Sequence, residues 1–178
     1  LVHCGRLSPE KKPERSIEAL RELLKQGVNA RLIYVGTGPL HKKLYEGSKD
    51  IPVTFLGYIS DKKYLARIIA SADISIAPGP IETFCLAALE SLASGTPVVC
   101  SKTSAVSEFL LLQSNQSVGL AAANNGTAFA EAIKVLLARL SAEQSLRSRC
   151  HHQAENFPWS STISQMLSLS PQRLLRVA

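Results

Sequence analysis

Two acidic residues, Glu82 and Glu90, stand with seven residues between them in segment 78–97, which carries no other charge. The segment follows a strand-like run, breaks at Pro78-Gly79-Pro80, and then carries helix-forming residues until Gly95. This pattern predicts a strand, a tight loop and the start of a helix. The first amides of a helix have no intrahelical acceptor and favour a phosphate or another anion. Glu90 would lie about 12 Å further along the axis than Glu82, so the two acids could hold the two ends of one extended ligand.

Four consecutive residues supply the predicted amide donors: Thr83, Phe84, Cys85 and Leu86. Each acid also has a structural alternative. Glu82 could cap the helix, where an acid complements the helix dipole by about 0.3 to 1 kcal/mol. Glu90 has apolar helix neighbours, and a buried acid without a partner is strongly destabilising, so its alternative is a salt bridge to a Lys or Arg elsewhere.

Strand-like and helical patterns alternate along the chain and must position these acids. Short apolar, β-branched-rich runs predict strands over 1–4, 30–35, 53–56, 74–77, 97–100 and 118–121. Helical patterns occupy 13–26, 39–46, 61–70, 83–94, 106–112, 127–140, 142–157 and a stretch from Trp159. The alternation predicts the α/β class: a Rossmann-like three-layer α/β/α domain with a six-stranded parallel sheet. We expect this domain over 1–158 and a C-terminal helical tail over 159–178.

Ligands of such sheets bind at the carboxyl ends of the strands. Gly5 and Arg6, the turn Gly36-Thr37-Gly38 and the loop 78–82 each follow a predicted strand, so we expect them to converge there.

The acid pair and its surroundings resemble family-4 retaining glycosyltransferases of the GT-B architecture, whose Glu-x7-Glu motif it matches. Four further pieces are similar to that family: 5–11 to its opening strand-loop signature, 35–39 to its second βα turn, 55–58 to its third strand, and 95–99 to the turn after the motif helix. The resemblance extends from residue 1 to about 169, and the order of the pieces makes it specific. It implies the C-terminal, donor-binding half of a GT-B fold. The chain opens inside a strand pattern and its only methionine is Met166, so we expect a piece of a longer protein whose N-terminal half contributes most of the acceptor site.

The resemblance implies catalytic roles for Arg6, Lys11 and Glu82. Arg6 and Lys11 would pair with the donor diphosphate, where fixed positive charge favours the departing phosphate in the transition state. Lys12 could serve in place of Lys11, and both lysines could instead form a solvated helix entry. Glu82 would contact sugar hydroxyls near the reacting carbon.

The resemblance also implies a set of donor-binding residues. Glu90 would accept hydrogen bonds from two ribose hydroxyls. Gly38 would lie in the turn next to the diphosphate, and Tyr58 and Ile59 would lie near the base. Cys85 departs from the family, which usually has glycine there; its thiol could be reactive or simply a tolerated small side chain. The full set is Gly5, Gly38, Tyr58, Ile59, Thr83, Phe84, Cys85, Leu86 and Glu90.

The implied activity is that of a hexosyltransferase that uses a nucleotide diphosphate sugar, GDP-mannose or a UDP-sugar, and a lipid or glycan acceptor. The run 77–84 looks most like members that use GDP-mannose. Without its N-terminal half, the chain is expected to bind nucleotide loosely and to turn nothing over. Two alternatives stay open: a non-catalytic Rossmann-like nucleotide-binding module, and a basic interaction domain for anionic membranes or nucleic acid.

Charge and amino-acid composition restrict the classes of partner that we expect for this chain. A net charge of +6 and a sequence pI near 9.3 favour an anionic partner, but only 6% aromatic residues argue against a nucleic-acid platform, so we expect no nucleic acid. The four cysteines lack metal or redox spacing, the four histidines lack metal spacing, and there is no Asp-x-Asp, so we expect reduced thiols, no metal and no cofactor. No apolar run approaches the roughly 18 residues of a membrane span. We therefore expect a cytoplasmic protein, with peripheral contact at the inner face of a membrane as a further option.

The triplet Phe157-Pro158-Trp159 is similar to an aromatic kink of the family, at which the chain crosses back to the N-terminal half. The alternative is a helix break with Trp159 in the core.

Overall fold

The apolar, β-branched runs form one parallel sheet in the computed structural model, which describes residues 1–110 and 117–169. Its strands are β1 (Val2–Cys4), β2 (Leu32–Val35), β3 (Val53–Phe55), β4 (Ser75–Ala77), β5 (Val98–Ser101) and β6 (Gly119–Ala122). The described helices are α1 (Glu14–Lys25), α2 (His41–Glu46), α3 (Lys62–Ala70), α4 (Leu86–Ala93), α5 (Val106–Leu110), α6 (Gly126–Ala142), α7 (Leu146–Glu155) and α8 (Trp159–Leu169). The predicted α/β class and the six parallel strands are confirmed.

The strand order is β3-β2-β1-β4-β5-β6, and every pair is parallel. The chain builds outward from β1 through β2 to β3, then returns to place β4 on the other side of β1. This reversal opens a crevice beyond the carboxyl ends of β1 and β4, the place at which sheets of this kind bind ligands.

Successive residues of a strand face opposite sides of the sheet, and the core follows that alternation. Tyr34 and Val99 point towards α1, α2 and α6, where they join a large cluster around Leu20 and Phe129. Their strand neighbours face the helices of the other side: Val35 packs near α3, and Val98 and Cys100 pack with α4, α5 and α7. Both faces of the sheet are therefore covered, as the unbroken apolar strands require.

Over the described residues, helices α4 and α5 differ in extent from the helices predicted over 83–94 and 106–112. Helix α4 begins at Leu86 rather than Thr83, because the N-cap residue Cys85 has left-handed dihedral angles, φ 59° and ψ 80°. A helix cannot continue through such a residue. The helix predicted over 106–112 is present from Val106, and its last two residues lie outside the described part of the chain.

The predicted tail begins with α8, and residues 170–178 lie outside the described residues. Trp159 is 69% exposed, so the alternative with this tryptophan in the core is wrong. Ile163 and Met166 are also exposed. In the described part of the chain, no helix combines the length and the apolarity needed to cross a bilayer.

Candidate functional site

A cleft of two lobes lies at the crevice between β1 and β4. Lobe A, about 410 Å³, lies beside the loop 78–82 and the start of α4. Lobe B, about 350 Å³, extends past the end of β2 towards α3. Both lobes are lined by Cys4, Gly5, Arg6 and Ala87, so they form one continuous cleft. The three segments that the sequence predicts to converge do so here.

Lys11 and Glu82 form an ion pair in lobe A. The Lys11 Nζ donates to Glu82 Oε1 at 2.7 Å and to Oε2 at 2.8 Å, and the Glu82 side chain is only 11% exposed. The carboxylate lies against Gly79, where an added Cβ would come within 2.6 Å of Glu82 Oε1. Glu82 therefore does not cap α4, and that alternative is wrong.

The choice between the two lysines is decided by backbone geometry. Residues Pro9–Lys11 form a 3-10 turn that ends at Lys12, whose φ of 49° is left-handed. This turn sends Lys12 to a separate cavity lined also by Glu14 and Lys43. Lys11 is the lysine of the cleft.

The start of α4 offers backbone donors to lobe A. Thr83, Phe84, Cys85 and Leu86 all line the lobe, and among the described residues no protein acceptor receives their amides. Because the helix begins at Leu86, the Thr83 and Phe84 amides belong to the preceding loop and not to the first turn, which corrects the sequence prediction. Burial raises the pKa of the Cys85 thiol, with smaller opposing contributions from nearby amides, so the activated thiol is not favoured.

Glu90 lies on the solvent-exposed side of α4 and lines lobe B. The burial that the apolar helix neighbours suggested for Glu90 is therefore wrong. Flanking residues of α4 such as Leu86 are themselves exposed, so the helix is not enclosed on all sides. Partial burial still raises the pKa of Glu90, and Lys62 on α3 acts in the opposite direction. Across residues 1–110 and 117–169 no Lys or Arg forms a salt bridge with Glu90, so its carboxylate is available to a ligand.

Arg6 is exposed at the junction of the lobes, and in the described part of the chain no carboxylate pairs with its guanidinium. Tyr58 and Ile59 form the outer wall of lobe B, with Tyr58 77% exposed. Gly38 does not line the cleft. Its missing side chain lets the turn pack on Leu7, whose carbonyl oxygen would lie 2.4 Å from an added Cβ.

Gly36 and Thr37 line lobe B in place of Gly38. Gly36 has a φ of +125°, and an added Cβ would come within 2.0 Å of the Gly5 carbonyl oxygen. Only glycine therefore allows the ends of β1 and β2 to approach this closely. The Gly-x-Gly turn signals such an approach, although the sequence does not say which of its residues faces the ligand.

His3 was not predicted as a site residue but lines lobe A together with Lys11. Burial, with Lys11 nearby, lowers its pKa to about 3, so the ring is neutral. Its Nδ1 lies 2.9 Å from the Ser16 Oγ, and its ring packs on Tyr34. The one available signal was its position two residues before Gly5, on the strand whose end forms the cleft. No group of three or more His, Cys, Asp or Glu side chains suited to a metal ion occurs among the described residues.

Within residues 1–110 and 117–169, the cleft thus combines a cation without an acidic partner, a cation held by an acid, amides without a protein acceptor, and a second acid. An anion fits near Arg6, Lys11 and the amides, and hydroxyl groups on its two sides can donate to Glu82 and Glu90. This arrangement suits a ligand with an anionic middle and a polyhydroxylated group at each end.

Comparison with known proteins agrees with this description. Residues 1–139 match the family model described as "Glycosyl transferases group 1". The chain is 46% identical over 169 residues to a GDP-mannose-dependent alpha-(1-6)-phosphatidylinositol dimannoside mannosyltransferase of Mycobacterium tuberculosis; the match covers 94% of this chain and 42% of the relative. The chain thus spans less than half of that relative's length.

Two solved structures show the same fold. Sucrose-phosphate synthase from Thermosynechococcus elongatus has a TM-score of 0.75 at 27% identity, over 94% of this chain and 44% of the other. Anabaena HepE in complex with UDP-glucose has a TM-score of 0.75 at 22% identity, over 94% of this chain and 48% of the other. At the latter identity the likeness supports the fold alone.

Proposed function

The chain belongs to the glycosyl transferases group 1 family, and on that premise we propose that it is the donor-binding part of a retaining glycosyltransferase. The whole protein would transfer a hexose from a nucleotide diphosphate sugar to a lipid or glycan acceptor. One observation carries the proposal: Arg6, Lys11, Glu82 and Glu90 share a single cleft at the switch point of the sheet.

The diphosphate would lie at the junction of the lobes. Arg6 and Lys11 supply positive charge there, and the amides at the start of α4 supply hydrogen-bond donors. Negative charge grows on the phosphate oxygen as the bond to the sugar breaks, so fixed donors at this point lower the barrier. We propose that these groups take the place of a metal ion, and that the reaction needs no metal or cofactor.

The sugar and the nucleoside would occupy different lobes. Glu82, in lobe A, would accept hydrogen bonds from hydroxyls of the transferred sugar, close to the leaving phosphate. Glu90, in lobe B, would accept hydrogen bonds from the two ribose hydroxyls, and Tyr58 and Ile59 would lie beside the base. Two charge-assisted hydrogen bonds would satisfy the Glu90 carboxylate, for which the described part of the chain offers no salt-bridge partner.

The acceptor hydroxyl would attack the anomeric carbon from the face that the phosphate leaves, through an oxocarbenium-like state. A new carbon–oxygen bond forms to the acceptor, the bond to the phosphate breaks, and the hydroxyl proton passes to the departing phosphate. The product would keep the α configuration.

GDP-mannose is the donor that we propose. Two observations support it: the run 77–84 resembles enzymes that use this donor, and the name of the 46% identical relative specifies it. That name also specifies a phosphatidylinositol-based acceptor, so we propose a lipid acceptor reached at the inner face of the membrane. The free cysteines fit a protein that works in the cytoplasm.

A thermal-shift screen of GDP, UDP, ADP and their sugars on the full-length protein tests the proposal. A ligand at a hundred times its dissociation constant stabilises a protein by about 2.7 kcal/mol. We expect the largest shift with GDP-mannose, its loss in Glu90→Gln, and a normal shift in Glu46→Gln, which removes an exposed acid on α2. NMR of the product should show an α linkage. The absence of both a shift and any sugar transfer would contradict the proposal.

A further inference from the structure

The loop 78–82, which carries Glu82, is held through its carbonyl groups. Pro78 and Pro80 have no N–H to donate, so these two positions can offer only acceptors. The Pro78 carbonyl accepts from Asn124 Nδ2 at 2.9 Å, the Pro80 carbonyl from Thr103 Oγ1 at 2.9 Å, and the Glu82 carbonyl from the Ala105 amide at 3.1 Å. Every second carbonyl of the loop is therefore tied to segments that follow β5 and β6.

Asn124 forms side-chain hydrogen bonds both to the loop and to a residue of α1. Its Oδ1 accepts from Arg15 Nε at 3.0 Å, while its Nδ2 donates to the Pro78 carbonyl. Arg15 can only donate and a carbonyl can only accept, so this orientation of the amide is the one that satisfies both partners. Arg15 is in turn held by Glu18, at 2.6 and 2.8 Å. Asn124 therefore links α1 to the loop.

The held carbonyl sets the surface on which Glu82 rests. Pro78 and Gly79 are buried, and the Glu82 carboxylate lies so close to Gly79 that no side chain fits there. A shift of the peptide between Pro78 and Gly79 would therefore move the carboxylate relative to Lys11, its partner across lobe A. Displacements of this kind far from the reacting atoms are enough to slow an enzyme.

We propose that Asn124 is a positioning residue: by fixing the Pro78 carbonyl, its side-chain amide holds the loop so that Glu82 meets the sugar of the donor. The inference rests on the proposed function, in which Glu82 contacts the transferred sugar while the nucleoside binds in lobe B. Misplacing the loop should therefore affect sugar recognition and transfer, and leave nucleotide binding in place.

Two variants of the full-length protein separate the bonds. Asn124→Asp keeps an acceptor for Arg15 but loses the Nδ2 donor, which serves the Pro78 carbonyl and, at 3.4 Å, the Ser101 Oγ; Asn124→Ala loses all three bonds. We expect kcat to fall about five- to tenfold in each variant. A displaced Glu82 would lose about one hydrogen bond to the sugar in the transition state, and a loss of that size has this effect on the rate. The Kd of GDP should not rise, because a displaced Glu82 competes less with the diphosphate for Lys11, while the Kd of GDP-mannose should rise. Equal changes in both Kd values, or an unchanged kcat, would overturn the proposal.

The adjacent Asn125 provides the matched control. Its Oδ1 accepts from the Ala128 amide and caps α6, with no bond to the loop. Asn125→Ala should lower Tm yet keep kcat and both Kd values within twofold. If Asn125→Ala reproduced the kinetic changes of Asn124→Ala, the effect would be one of general stability and the proposal would fail.

Hydrogen exchange tests the geometry without any activity. In the full-length protein, the amide hydrogens of peptides covering the loop 78–82 and Ala105 should exchange faster in Asn124→Ala and Asn124→Asp than in wild type. Their exchange rate should be unchanged in Asn125→Ala. Unaltered exchange in the Asn124 variants would refute the positioning role even if the protein proved to be a transferase. Faster exchange in a protein that transfers no sugar would instead place the failure in the proposed function.

Discussion

Lys11 Nζ contacts both carboxylate oxygens of Glu82, at 2.7 and 2.8 Å, inside the lobe that we assign to the sugar and the phosphate. The cation expected to stabilise the leaving group is therefore paired with an acid of the same chain. A donor must share or replace this pair: the diphosphate competes for Lys11, and the sugar hydroxyls offer Glu82 new partners. A nucleoside diphosphate, which lacks the hexose to be transferred, offers only the first exchange.

We expect Glu82→Gln to bind GDP several-fold more tightly than wild type, because Lys11 no longer divides its charge between an acid and the phosphate. Transfer should fall roughly 10- to 100-fold, the effect of losing a hydrogen bond to a charged group. Calorimetry with GDP and initial rates with GDP-mannose measure the two effects. Glu10→Gln is the control for long-range charge, since Glu10 lies near Arg6 and Lys11 but outside the cleft lining. Weaker GDP binding in Glu82→Gln would show that the pair does not compete with the phosphate.

The adjacent lysines should differ in effect. Lys11→Ala should weaken GDP binding and lower kcat by roughly 10-fold or more, because a charge-assisted hydrogen bond to the phosphate is lost. Lys12→Gly is the comparison, since glycine readily adopts the left-handed φ of that position. Its GDP affinity should stay within about twofold of wild type, allowing for one lost surface charge. Equal losses in the two variants, titrated side by side, would argue against a direct contact by Lys11.

Nucleotide affinity should depend on the protonation of Glu90. Partial burial holds the pKa of Glu90 above its usual range, so on acidification the carboxylate loses its charge at a higher pH than an ordinary glutamate. The charged form is the stronger acceptor for ribose hydroxyls, and affinity should therefore fall as the pH drops through that raised pKa. Lys62→Met removes an opposing cation, which raises the pKa of Glu90 further and should move the loss to higher pH. Titrations of GDP across this range would contradict the role if Glu90→Gln kept the wild-type profile.

The left-handed backbone of Cys85 should make this position sensitive to branching. Cys85→Val should lower the free energy of unfolding by at least about 1 kcal/mol, because a β-branched residue is strained at a φ of 59°. Cys85→Gly should stay within about 1 kcal/mol of wild type, since the relieved strain offsets the lost thiol packing and the more flexible unfolded chain. Urea denaturation measures both. Cys100→Val, the same change on the extended strand β5, should cost less than Cys85→Val; the reverse order would contradict the strain.

His3 should make the fold acid-sensitive. Burial lowers its pKa to about 3, against 6.5 for an ordinary histidine, so between these values the unfolded chain binds a proton that the native protein does not. Stability from this group is therefore present above pH 6.5 and is lost as the pH falls towards 3, by on the order of 1 kcal/mol per pH unit. Urea denaturation of wild type and His3→Gln at several pH values isolates it. The variant should show the shallower slope, whatever its absolute stability, and parallel slopes would exclude His3 as the source.

Much of the fold could be predicted because its signals are local. Strands such as Leu32–Val35 and Val98–Ser101 are buried on both faces, so they appear as short apolar runs, and Asp61 marks its helix start by accepting from the Lys63 and Tyr64 amides. The same local signals predicted that Arg6, the turn 36–38 and the loop 78–82 meet at one edge of the sheet, since parallel strands end together.

What the sequence by itself determined is the α/β class, the strand positions and the acid pair. Only the tertiary structure decided that Lys11 rather than Lys12 faces Glu82, that Gly36 rather than Gly38 opens lobe B, and that Asn124 holds the loop. The first two choices depend on single backbone dihedral angles, and the third on a contact between residues far apart in the chain. Composition and periodicity predict neither the dihedral angles nor the long-range contact. A side chain's direction depends on the local backbone conformation, which is set by the packing around it.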